Sequence, residues 1–203
     1  LYNKVNSEEL KLALANEPFE RITASFYKYI DISVPNELRD ELYKVWNKMG
    51  VFGRVYIADE GINAQVSIPQ PNWEIFKDSV HSNFLFRDVK IKKAIQEGSS
   101  FYKLKIKVRK ELVAYDVPKE SYDMRKVGKH LTASDYNLAI ESKDSTVVDM
   151  RNYYESEIGR FENAIIPDVE TSKELLPEVK KLLKGKENEK ILLYCTGGIR
   201  CEK

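Results

Sequence analysis

Near the end of the chain, Cys195-Thr196-Gly197-Gly198-Ile199-Arg200 brings together a thiol, two glycines and an arginine within six residues. Glycines adopt backbone angles that side chains disfavour, so successive N–H groups can turn toward the Cys195 sulfur and form an anion cradle. Arg200 adds a permanent positive charge, and a helix starting near Cys201 would point its N-terminal dipole the same way. These groups would pull the thiol below its free pKa of about 8.5, and the thiolate is the nucleophilic form. Against this, Cys195 can be a small apolar filler after the buried run Ile191-Leu192-Leu193-Tyr194. Filler needs no paired glycines and arginine directly downstream, so the reactive reading is preferred. Cys201 is either a resolving thiol for an oxidised Cys195 or a buried residue in the next helix, the second being preferred.

Loop length narrows the chemistry. Four residues separate Cys195 from Arg200, one fewer than in the Cys-x5-Arg loop of tyrosine-type phosphatases. A smaller ring of amides suits a sulfur or oxygen carried on the cysteine better than a whole phosphate. The loop resembles that of the rhodanese superfamily. Thr146 to Ala164, TVVDMRNYYESEIGRFENA, resembles the rhodanese strand-turn signature, with Asp149, Arg151, Glu155, Gly159 and Asn163-Ala164 in order. With YCTGGIRCEK and FGRVYIADEGINAQVSIP (Phe52 to Pro69), the chain is similar to the bacterial rhodanese-containing tRNA uridine hydroxylases.

That resemblance implies an oxidoreductase that installs 5-hydroxyuridine at the tRNA wobble position. It implies Cys195 at the reaction centre, molecular oxygen as co-substrate and tRNA as partner, with no other cofactor evident in the chain. Arg160 stands where rhodaneses commonly have histidine, so no histidine role carries over. Family members also have a cysteine-rich C-terminal region. The chain stops at Lys203, so truncation within the rhodanese-like domain is expected. Two other readings stay open: a persulfide sulfurtransferase and a non-catalytic RNA-binding module.

Composition fits an ordinary globular protein of 203 residues, 42% hydrophobic and 32% charged, long enough for two modest cores. A net charge of +1 says little about partners, because local clustering makes a nucleic-acid surface. No apolar stretch reaches membrane-spanning length and no secretory signal opens the chain, so no membrane partner is expected. Two cysteines make no disulfide framework, which favours a cytoplasmic location. With only His81 and His130 beside them, no metal site is assigned.

The elements that position these groups fall into an α+β ferredoxin-like domain and an α/β rhodanese-like domain incomplete at its C-terminus. A helical extension over residues 1–18 precedes a ferredoxin-like, acylphosphatase-like domain over 19–113. Residues 21–30 read as a strand. A helix follows from Pro35, with Leu38, Leu42, Val45, Trp46 and Met49 on one face and Gly50 as its stop. Two strands about the turn Asp59-Glu60-Gly61-Ile62-Asn63 make a hairpin, and Trp73, Phe76 and Val80 mark a second helix. The turn itself is read either as plain turn chemistry or as part of a pocket. A strand over 102–112, after a shorter one over 89–95, completes an antiparallel ferredoxin-like order.

In that last strand Lys103, Lys105, Lys107 and Arg109 alternate with Leu104, Ile106 and Val108, which puts the charges on one face. Lys90 to Lys110 holds eight basic residues against one acidic, Glu97. A solvated sheet face is one reading and a phosphate-tracking RNA surface the other, with Phe101 and Tyr102 available to stack on bases. The family resemblance favours RNA.

Residues 114–127 read as a polar linker before the second domain, 128–203. A helix capped near Thr132, a strand at Thr146 to Met150, a helix carrying Leu175, Val179 and Leu182, and the strand before Cys195 alternate as in a parallel sheet. Pro177 either marks that helix's start or bends its first turn. Such sheets bind ligands at the C-terminal ends of their strands, where Cys195 falls. Asp149 and Arg151 follow a strand end and are read as a salt bridge fixing the loop or as groups near Cys195.

Overall fold

A computed structural model describes residues 3, 5–95, 101–124, 126–142 and 144–203. The chain divides into two compact units, the first ending at Leu112 and the second beginning at Val113. Glu97 and its neighbours 96–100 lie outside the described residues.

In the first unit the amphipathic patterns become α1 (Ser7–Ala15), β1 (Arg21–Tyr29), α2 (Pro35–Lys48), β2 (Phe52–Ala58), β3 (Gly61–Pro69), α3 (Trp73–Ser82), β4 (Lys92–Lys93) and β5 (Leu104–Val108). The sheet order is β4-β1-β3-β2-β5. The first four strands pair antiparallel in a ferredoxin-like arrangement. β5 does not take the fourth place: it joins the opposite edge, parallel to β2, with Val55 opposite Ile106. The sheet is therefore mixed rather than antiparallel. The fourth strand of the motif is the lysine pair of β4, inside the shorter strand expected over 89–95.

Apolar residues of α2 and α3 fill the space over the sheet. Trp46 is fully buried, with its ring centroid 6.2 Å from Phe26 and 5.3 Å from Phe76. Rings at such separations gain edge and offset contacts beyond simple burial. Val45 lies at the margin of the helix face and is exposed, while Tyr43 is buried in its place.

The β2–β3 turn is tighter than the sequence suggests. Ala58 pairs with Gly61 and Ile57 with Ile62, so only Asp59 and Glu60 lie outside the ladder. Gly61 is required at its position. Its φ is +143°, and a Cβ there would fall 2.0 Å from the Lys28 carbonyl oxygen of β1. The buried Glu60 carboxylate accepts the Leu112 N–H at 2.7 Å, fixing the far end of the unit.

The second unit contains α4 (Ala133–Glu141), β6 (Ser145–Asp149), α5 (Tyr153–Ile158), α6 (Ser172–Leu182), β7 (Lys190–Tyr194) and α7 (Ile199–Glu202). β6 and β7 are parallel, with Val148 opposite Leu193, and Val148 also bridges Ile165 in parallel sense. α6 is continuous through Pro177, with Thr171 as its N-cap. Val113 and Tyr115 are buried with Val148, Met150 and Leu175. The stretch expected to be a linker from residue 114 thus begins inside this core. α7 starts at Ile199, two residues before the position expected from sequence, and is a single turn.

Candidate functional site

Parallel pairing of β6 with β7 sets Asp149 opposite Tyr194, so both strands end side by side and Cys195 follows at the edge. Asp149 is fully buried. Its carboxylate accepts from Arg151 Nη2 at 2.8 Å, Ser156 Oγ at 2.8 Å and the Tyr194 hydroxyl at 2.7 Å, and from the Arg151 N–H at 3.0 Å. Burial alone would raise its pKa. The donors of Arg151, Tyr194 and Ser156 reverse that and hold it below its ordinary value. Asp149 and Arg151 are thus a salt bridge that clamps Tyr194, the residue before the thiol, which is the structural one of their two readings.

At Cys195 the chain leaves the strand and folds back. Gly198 has φ +98°, and its N–H points at the Cys195 sulfur at 3.0 Å. Cys201 N–H then bonds the Gly198 carbonyl at 3.0 Å, closing the turn of α7. The Cys195 thiol is pulled down to about 5, first by a hydrogen bond from the Cys201 thiol and then by the N–H groups of Arg200, Gly198 and Gly197, against the opposing effect of burial. Cys201 moves the other way, because its S–H serves as hydrogen-bond donor to the Cys195 sulfur, so it keeps its proton, and because it is itself desolvated.

The glycines are not equivalent. Only Gly198 has a left-handed backbone; at Gly197 a Cβ would meet nothing within 4 Å. The Gly198 N–H of the expected cradle points at the sulfur, and the Cys201 side chain adds to it, which the sequence expectation did not include.

Arg200 lies close enough for its charge to act on the Cys195 sulfur, as expected from the sequence, and it has a second task. Its guanidinium grips Glu155 with two bonds, 2.6 and 2.8 Å long. Glu155 also accepts the Thr196 hydroxyl at 3.0 Å and the Asn152 N–H at 3.1 Å. Hydrogen bonds from Arg200 hold the Glu155 carboxyl down to about 2, outweighing burial. Arg200 therefore braces the loop through Glu155, and its backbone N–H faces the sulfur. From the other side, Tyr115 donates its hydroxyl to the Arg200 carbonyl at 2.6 Å. Ile199 packs with Cys195 and Cys201 at the edge of the apolar core. Glu155 and Tyr115 were not assigned roles from sequence. The Asn152-x-x-Glu155 spacing of a capped helix start was the available signal for Glu155.

In the first unit, β5 bears the alternation read from its sequence. Leu104 and Ile106 are buried while Lys105 and Lys107 are exposed. Lys103 and Arg109 flank the strand, Lys103 half-buried and Arg109 exposed. On β2, Arg54 stands directly opposite Lys105 and Tyr56 opposite Lys107. The Arg109 guanidinium lies 5.4 Å from the centre of the Tyr56 ring. Like charges placed opposite each other across a ladder destabilise it. Arg54, Lys105, Lys107 and Arg109 have no acidic partner among the described residues. The Tyr102 ring faces the ammonium groups of Lys11 and Lys103, at 5.6 and 5.3 Å. Arg54 and Tyr56 join this face only through the parallel pairing, which the sequence did not disclose.

Among the described residues no group of three His, Cys, Asp or Glu side chains could hold a metal ion. Nor is any helix among them long and apolar enough to cross a membrane.

A sulfur held as an anion beside a parallel sheet, in a chain that also carries an unpaired basic strand face, defines a two-unit protein with a thiolate site. Comparison with known proteins narrows this. Residues 21–112 match the family described as the UPF0176 acylphosphatase like domain. A protein named tRNA uridine(34) hydroxylase from Leptospira interrogans serogroup Icterohaemorrhagiae serovar Lai is 50% identical, over 100% of this chain and 56% of its own length. Proteins of the same name from Salmonella choleraesuis and Salmonella typhi are 42% and 43% identical, over 100% of this chain and 59% of theirs. The chain is similar to these proteins along its whole length. It spans between half and two thirds of the length of these curated relatives.

Proposed function

We propose that this chain is the thiol-bearing and RNA-holding part of an oxidoreductase that acts on tRNA in the cytoplasm and hydroxylates the wobble uridine at C5, with molecular oxygen as co-substrate. The observation that carries the reading is the hydrogen bond from the Gly198 N–H to the Cys195 sulfur at 3.0 Å. The names and identities of the relatives supply the reaction class. In this reading the second unit is rhodanese-like.

Cys195 is the nucleophile. Its thiolate adds to C6 of the uracil, which makes C5 electron-rich toward oxygen. Thr196 and Arg200, tied through Glu155, keep the loop from opening during the addition. Thr196, Gly197, Gly198, Ile199 and Arg200 form the loop, Asp149 and Arg151 support it, and Cys201 faces the sulfur. Lys103, Lys105, Lys107 and Arg109, with Arg54, track RNA phosphates, while Tyr56 offers a ring face for stacking. The unpaired charges on neighbouring strands support an anionic partner.

Nucleoside mass analysis of tRNA incubated with the protein and oxygen tests the proposal. Wild type is expected to yield 5-hydroxyuridine and Cys195→Ala none. Equal product from Cys195→Ala protein would overturn it.

A second reading, sulfur transfer through a persulfide on Cys195, rests on the smallness of the amide ring. Incubation with thiosulfate followed by protein mass measurement separates the two: a stable gain of one sulfur on Cys195, with cyanide-dependent turnover, favours transfer.

A further inference from the structure

Cys201 is the one reactive side chain at the site to which the proposed nucleophilic addition gives no task. It does not sit there by sequence proximity alone. The backbone doubles back through two contacts, Gly198 N–H to the Cys195 sulfur and Cys201 N–H to the Gly198 carbonyl, each 3.0 Å. Both cysteines pack, with Ile199, against one apolar cluster that includes Val148, and the Cys201 side chain helps hold the Cys195 thiol acidic. No disulfide joins them. A thiolate facing a thiol is the reduced half of a dithiol–disulfide couple.

Electron counting gives the couple a task. Replacing hydrogen at C5 by hydroxyl with dioxygen uses one oxygen atom, and the second must leave as water with two further electrons and two protons. We infer that Cys195 and Cys201 together supply those two electrons, so that each hydroxylation leaves a Cys195–Cys201 disulfide. The balance is one uridine C–H, one dioxygen and two thiols giving one C–OH, one water and one disulfide. The O–O bond, the C5–H bond, the Cys201 S–H bond and the transient C6–S bond to Cys195 are broken, and one proton is taken from solvent because Cys195 enters as the thiolate. The C5–O and S–S bonds form, and the three hydrogens end in the new hydroxyl and the water. Uracil and sulfur are oxidised and dioxygen is reduced. An external thiol or dithiol must then reduce the disulfide before the next cycle.

The inference rests on the hydroxylation proposed above, and the test keeps the two apart. Pre-reduced protein, freed of small thiols, is mixed with tRNA in air-saturated buffer. 5-Hydroxyuridine is counted by nucleoside mass analysis and the cysteine pair by peptide mass. Product is expected to stop near one equivalent per protein, with the Cys195–Cys201 peptides linked in step, and to resume on adding dithiothreitol. Cys201→Ser retains a hydrogen-bond donor to Cys195 and folds like wild type by thermal melting, yet forms only background product. Product well beyond one equivalent with both thiols intact, or wild-type yield from Cys201→Ser, would overturn the inference. A parallel sample without tRNA is treated with diamide, a thiol oxidant. Linked peptides there, with no 5-hydroxyuridine from any sample, support the couple and count against hydroxylation. Unlinked peptides overturn the couple whatever happens to tRNA.

Discussion

The loop around Cys195 and the outer face of β5 are both rich in charge, and they differ in how much of that charge already has a partner. At the loop, Arg200, Glu155, Thr196 and Tyr115 are joined to one another or to the backbone. On the strand face, Lys105 and Arg54 confront each other with no acid to separate them. Chemistry at one atom calls for groups fixed before the substrate arrives, so that no reorganisation is needed at the moment of reaction. Binding a phosphate chain calls for charges left free to release counterions. One region has its charges paired, while the other has no acidic partner among the described residues.

Several changes would break or sharpen that contrast. The largest effect falls on Cys195→Ala: hydroxylation, followed by nucleoside analysis, should drop by about a thousandfold or more while tRNA affinity stays unchanged. Gly61→Ala should destabilise the first unit by about 3 kcal/mol or more, read by chemical denaturation, because its Cβ collides with the Lys28 carbonyl. Alkylation of Cys195 in that variant should titrate as in wild type.

Glu155→Gln leaves the partly buried Arg200 without its carboxylate and should cost about 1–2 kcal/mol by thermal melting. The pH dependence has a definite sign. Glu155 ionises at about 2 in the folded chain against an ordinary 4.5. Its stabilisation is therefore complete above pH 4.5 and is lost as pH falls toward 2. Glu155→Gln should erase that part of the acid transition. Cys195 behaves alike: its thiolate is stabilised fully above its ordinary 9.0, and that contribution fades as pH falls through about 5. Iodoacetamide should thus react half-maximally near pH 5, and Cys201→Ala should move the half-point upward.

The smallest effect belongs to the open face. Lys105→Glu with Lys107→Glu should weaken tRNA binding about tenfold and reduce the salt slope by about two, leaving the Cys195 titration in place.

How much of this the sequence disclosed depended on the range of the interactions involved. The Cys195 cradle and the alternation of Lys105 and Lys107 are local patterns, and both are present in the fold. Trp46, Phe76 and Val80 likewise occupy the buried faces their spacing predicts. What escaped depends on contacts between distant residues. The strand expected over 89–95 shrinks to the two lysines of β4, held by Ser25 and Ala24 of β1. The parallel addition of β5 depends on which sheet edge was free. Gly61 reads as a turn residue, while its real constraint is the approach of Lys28 from another strand. Arg200 is a charge for the sulfur as its sequence position predicts, and only the fold shows that Glu155 holds it as well.

Tyr115 carries a consequence for how such a chain can be cut. Its hydroxyl stays the Arg200 carbonyl from a position only three residues past the end of the first unit. A gene fragment opened in the polar stretch after it would still encode every residue from Cys195 to Arg200, yet would have discarded one of the guy ropes that keep them taut. Proteolytic nicking on either side of Tyr115 should therefore separate two outcomes that otherwise travel together: survival of the thiol, and survival of its acidity.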